Sequence, residues 1–142
     1  MEPELLSLRN RTYAAFVELG RAPRAAELGD EAEVKRGWRQ LHDAHAIVLN
    51  PGTDEIRMAN PFSAVPTAYR VHADDRWWYA NCAWDAFGIL GALGVDGTIE
   101  SSCPDCGEPY AVDVSEGRAA AGDLLFHCLV PAAHWWDDIV FT

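Results

Sequence analysis

Within "WWYANCAWDAFG", residues 77–88, Cys82 stands three residues before Asp85 in an otherwise apolar run. On a helix, that spacing puts a thiol and a carboxyl on one face, where both can serve one pocket. The thiol can act as a nucleophile or as a ligand to a soft metal. The carboxyl can carry a proton if burial raises its pKa. A carboxylate does not make a neighbouring thiol easier to ionise, so its part is to accept, deliver or orient. Packing alone accounts for many buried helix cysteines. Asp85 is harder to place that way, because its charge needs water, a hydrogen-bond donor or a proton-transfer partner.

Three other cysteines accompany this pair. "CPDCG" sets Cys103 and Cys106 in a turn suited to a thiophilic ion such as zinc. One knuckle supplies two ligands; Cys128 is the leading third, with His127 or His134 as the fourth, and a metal-free turn is the competing reading. His127 and Cys128 adjoin in a strand-like apolar run, where neighbouring side chains face opposite ways. Trp84, His127 and His134 are candidates to line a pocket, and His134 with Trp135 and Trp136 forms either a recess or a packed edge. Asp137 and Asp138 read as solvated or capping acids rather than a glycosidase pair. No phosphate-binding glycine loop or Ser/His/Asp arrangement is present in the sequence.

The elements that must hold these groups read as α+β. Residues 4–19 are helical, with Leu5, Leu8, Tyr13, Phe16 and Leu19 at helical spacing and Gly20 beyond. A short helix through residues 24–29 and a longer one over 30–49, capped by Asp30, complete a helical group. A turn at residues 50–54 and a short strand or wing at 55–63 follow. Residues 1–61 are therefore expected to form a winged-helix-like module. Residues 62–142 are expected to form a mixed domain: a strand and turn at 67–75, a helix over 78–94, and two strands around the CPDC turn. A strand at 122–131 and a final strand-like edge close it.

The chain has 142 residues, a formal net charge of −11 and only 11 basic residues. That balance disfavours nucleic acid and anionic membranes as partners, although Arg24, Lys35, Arg36 and Arg39 sit on the helical module. No basic leader precedes residue 16, and no apolar run reaches the length of a membrane span, so a cytoplasmic protein with reduced thiols is expected.

The order of "DDRWWYANCAWDAFGILGALG" and "SSCPDCGEPYAVDV" resembles the alkylmercury lyase, or organomercurial lyase, family. The similarity runs from about Ala68 to Thr142, with a weaker match through the helical module. The resemblance implies a winged-helix-like region before a catalytic domain. It also implies a signature tyrosine at Tyr79, a mercury-binding thiol at Cys82 and a proton-shuttling carboxyl at Asp85. Two cysteines would hold mercury while the aspartate assists protonolysis of the carbon–mercury bond. No cofactor is then required, since mercury arrives within an organomercurial substrate.

The family's second catalytic cysteine follows a strand similar to the end of "WWDDIVFT", where this chain has Thr142, and the chain is short at that end. Cys128 is the first choice to replace that thiol, with an added small thiol as the competing source. The competing functional readings are a noncatalytic thiol- or metal-binding relative, with a structural zinc, and a metal-responsive regulator.

Overall fold

Helical spacing at the start of the chain forms α1 (Pro3–Leu19), which has proline in its first turn and ends at Gly20 with φ 66°. It is followed by α2 (Ala25–Leu28) and α3 (Glu31–Asp43). Asp30 caps α3 by accepting the Glu33 amide at 3.0 Å. The computed structural model describes residues 1–141. It corrects the expected length of α3, which stops at Asp43 instead of running to residue 49. His45 takes φ 58°, and Val48–Leu49 become a buried strand, β1. The β-branched Ile47 and Val48 are buried at 1% and 2% exposure, in a segment that pairs rather than coils.

The remaining strands are β2 (Ile56–Ala59), β3 (Phe62–Ser63), β4 (Arg70–Ala73), β5 (Arg76–Ala80), β6 (Gly97–Ser102), β7 (Pro109–Ser115) and β8 (Arg118–Ala119). They join in one antiparallel sheet of order β1-β2-β3-β5-β4-β6-β7-β8. The helix α4 (Ala83–Leu93) packs on β4, β5 and β6. The α+β class expected from the sequence is therefore the observed one.

Residues on both sides of position 61 share this sheet, because β2 pairs with β3 through Met58↔Ser63 and Ala59↔Phe62. They also share one core. Phe16 stacks on Phe62 with ring centres 5.7 Å apart, and the Trp78 indole N–H donates to the Phe16 carbonyl at 3.0 Å. Trp38 donates to the Thr12 hydroxyl at 3.0 Å, and that hydroxyl donates to the Leu8 carbonyl at 2.9 Å. Indole and hydroxyl are thus both satisfied in a region that excludes water.

Three further expectations are corrected. The helix expected over residues 78–94 begins only at Ala83, because Arg76–Ala80 pair with β4 and β3. Trp78 is therefore a strand residue and does not share a helical face with Cys82. The strand expected at 122–131 is also absent, and that segment runs as irregular chain. Leu125 is 93% exposed there and Leu129 72%. A continuous apolar run lacks the alternation that would bury one face of a strand. The end of the chain is likewise not strand-like: Ala132–Asp137 form a short 3-10 helix. Thr142, at the position matched to the family's downstream cysteine, lies outside the described residues.

Candidate active site between two cavities

The sheet delivers its last β5 residue, Ala80, with its amide bonded to the Tyr69 carbonyl at 3.0 Å. Asn81 and Cys82 then leave the sheet, and Cys82 takes extended geometry (φ −148°, ψ −178°) as the residue preceding α4. Its carbonyl accepts the Ala86 amide at 3.0 Å, which begins the helix. Cys82 and Asp85 are thus the cap position and the third helical residue, and this geometry brings them together. The expectation that both lie within one helix is corrected, yet both line a cavity of about 140 Å³. Met58, Trp135, Ile139 and Phe141 give that cavity apolar walls.

Asn81 supplies the polar side of the cavity. Its Nδ2 donates to Asp85 Oδ2 at 3.0 Å, to Asn60 Oδ1 at 3.0 Å and to the Pro61 carbonyl at 3.3 Å. Burial pushes the Asp85 carboxyl above its ordinary pKa, against the opposing hydrogen bonds from Asn81 and Cys82. Burial also pushes the Cys82 thiol up. The Asp85 and Trp84 amides oppose that rise, while the charges of Asp85 and Cys128 add to it. At neutral pH, Cys82 is therefore a protonated thiol beside a carboxyl that holds a proton more readily than usual. The pair is suited to passing a proton rather than to holding a free thiolate.

Cys82 also borders a second cavity of about 180 Å³, together with Tyr69, His127, Cys128, Trp135 and Phe141. The two cavities meet at Cys82 and share Trp135 and Phe141 as walls. The irregular segment is folded over this site by the Val130 carbonyl, which accepts from Cys128 Sγ at 3.0 Å and from Trp135 Nε1 at 2.8 Å. His127 and Cys128 line the same cavity, which corrects the opposite-faces expectation; without a strand, the alternation does not apply.

The other expected residues lie elsewhere. Tyr79 packs edge-on against Trp77, 5.0 Å between ring centres, and lines a separate surface groove with Arg21 and Arg76. Neighbouring strand residues face opposite sides, so burying Trp78 and Ala80 turns Tyr79 away. Trp84 is 60% exposed and leans on Phe126. His134 pairs with Asp137 at 2.9 Å on the surface. Cys103 and Cys106 sit at the tip of the β6–β7 hairpin. Among the described residues, no group of three His, Cys, Asp or Glu side chains is placed to hold a metal ion, so neither Cys128 nor a histidine joins that turn.

Sequence reasoning missed Asn81, Asn60 and Tyr69. No local pattern marks the two asparagines, since 21 residues separate them and only the sheet brings them together. Burial pushes the Tyr69 hydroxyl above its ordinary pKa, with Tyr110 and then Cys82 adding to the rise. Tyr69 stands just ahead of β4, and the tyrosine that the sequence pointed to, in the strand before Cys82, was Tyr79.

Fold and site together define an α+β protein in which a thiol and an acid share one cavity and a second thiol lines another with the first. A family model described as alkylmercury lyase matches residues 62–142, more than half of the sequence, and the chain belongs to that family. No curated protein matches it. Among solved structures, one described as the mercury-bound form of MerB2 is similar with a TM-score of 0.64 and 23% identity, over 84% of this chain and 60% of that one. That likeness is one of fold, and the chain spans about three fifths of the neighbour's length.

Proposed function

We propose that the chain cleaves carbon–mercury bonds by protonolysis. The observation that carries this reading is the position of Cys82 between the Asp85 cavity and the Cys128 cavity. An organomercurial cation is held by sulfur at Cys82, its organic group in the small chamber lined by Met58, Ile139 and Phe141. The Cys82 proton passes to Asp85 as the sulfur–mercury bond forms. Cys128 adds a second thiolate and releases its own proton. The carbon–mercury bond then breaks, and its electron pair takes the proton from Asp85. One organomercurial cation and two thiols thus become one hydrocarbon, one dithiolate of Hg(II) and one free proton, with no change in oxidation state. Soft thiolates suit Hg(II), and a buried carboxyl suits proton delivery to carbon.

On this reading no organic cofactor is involved, and small thiols are the natural acceptors of the product. Hydrocarbon release from methylmercury or ethylmercury, measured against a thiol-only control, tests it. Cys82→Ser should abolish release. Asp85→Ala should lower it by about 10²–10⁴-fold while mercury still binds, because coordination and proton delivery are separable. Cys128→Ser should lower release, with partial recovery on addition of small thiol. Tight mercury binding with no release above the control would instead establish a noncatalytic thiol-binding relative.

A further inference from the structure

The CPDC turn lies outside the cavities around Cys82 and needs its own account. It closes the β6–β7 hairpin, whose register runs without interruption from Gly97↔Val114 to Ser102↔Pro109. The tip is pinned by the Cys103 amide donating to the Glu108 carbonyl at 2.9 Å and by the Gly107 amide donating to the Cys103 carbonyl at 2.8 Å. Gly107 takes φ 76°, which admits this tight closure. This closure holds Cys103 and Cys106 in one short turn, three positions apart.

Neither cysteine contributes to packing. Both are outside the core, both are free thiols, and Cys106 is exposed. A cysteine at a fixed, accessible turn is open to reaction or ligation rather than buried. A closed zinc site needs four ligands, and among the described residues no third His, Cys, Asp or Glu reaches this one. A soft cation that is satisfied by two thiolates needs nothing more.

We propose that the Cys103–Cys106 turn is a second, surface site for a two-coordinate thiophilic cation, separate from the Cys82 cavities, with Hg(II) as the ion that reveals it. Binding breaks two S–H bonds, forms two S–Hg bonds and releases two protons, and no electron is transferred. Two thiolates neutralise the dication. The pinned tip has already met the ordering cost of bringing them together. Because the turn is exposed, an incoming thiol can attack the bound ion, so this site exchanges faster than the half-enclosed cavity. The inference concerns binding alone and does not depend on the proposed carbon–mercury cleavage.

The test is to load the reduced, full-length protein with two equivalents of Hg(II) and then challenge it with excess glutathione to strip singly held ions. Retained mercury is read by elemental analysis, and protected cysteines by alkylation and peptide mass mapping. The native protein should protect both Cys103 and Cys106. The Cys103→Ser/Cys106→Ser double variant should retain one ion fewer per chain. The Cys82→Ser/Cys128→Ser double variant should keep the turn-bound ion. That ion should also be the first lost to a dithiol. Protection mapping on the native chain answers the question even if a variant misfolds. Free alkylation of Cys103 and Cys106 in the loaded native protein would overturn the proposal. So would equal mercury retention by native protein and the turn variant, or zinc purified on the turn that Hg(II) does not displace.

Discussion

At the scale of single side chains, Asp85 joins two opposed effects: burial raises its pKa, and the Asn81 amide pulls it back. A carboxyl whose folded pKa is raised contributes stability that is fully present below its unfolded value. That contribution is lost as pH rises through the folded value. Ionisation of Asp85 above that folded value therefore weakens the fold. Asp85→Asn, which keeps the shape and an acceptor for Asn81, should raise neutral-pH stability by about 1 kcal/mol, or about 3 °C in Tm. Thermal melts across pH should show the gain shrinking as pH falls toward the ordinary carboxyl range. A gain that grew on acidification would contradict the assigned shift. The same substitution removes the proposed proton carrier, so stability and hydrocarbon release should move in opposite directions.

At the scale of elements, α4 is the part that fixes Cys82 and Asp85, and its seat depends on Gly97 at the start of β6. A Cβ at Gly97 would fall 2.3 Å from the His72 carbonyl oxygen and 2.7 Å from Leu90 Cδ2, so β4 and α4 both come too close for a side chain. The φ of Gly97 is not the issue; the space is. Gly97→Ala should destabilise the protein by about 1–3 kcal/mol in chemical denaturation. Hydrogen exchange in α4 should quicken with it, because Leu90 is one of the buried residues through which the helix is held. Gly91→Ala, in the same helix with nothing within 4 Å of the new atom, should be neutral or slightly stabilising and serves as the control. The irregular segment before the 3-10 helix is a different kind of element. Its Val130 carbonyl holds Cys128 and Trp135 at once.

At the scale of the whole molecule, the net charge of −11 and pI near 4.7 give the protein a net negative field. Such a field draws in cations and is screened by salt over about 10 Å at 0.1 M. Capture of a cationic mercurial by Cys82, followed by stopped-flow spectroscopy, should slow severalfold as sodium nitrate is raised. Nitrate is the salt to use, because chloride would itself bind mercury. A capture rate independent of ionic strength would show that the global charge plays no part in delivery. Among the described residues, no helix is long and apolar enough to cross a membrane.

Features set within a few residues of one another were legible in the sequence. The extent of α1, the Asp30 cap, the CPDC turn and the α+β class all follow from short-range spacing, capping chemistry and turn residues. The Cys-x-x-Asp spacing likewise brought out the pair that shares a cavity, although the helix expected from residue 78 starts only at Ala83, just after Cys82. What the tertiary structure decided rests on distant partners. "RWWYA" satisfies helical and strand periods alike, and only pairing with β3 and β4 makes it β5. That pairing turned Tyr79 away from the site and left Tyr69 in it. Cys128 lies 46 residues from Cys82, and no local pattern could report that a chain without regular structure would fold back over it. Asn81 reaches Asp85 and Asn60 only because a strand end, a helix start and a turn meet there. Short-range chemistry is written along the chain, whereas the convergence of separate segments depends on which apolar surfaces bury one another, and that is settled only when the whole core forms.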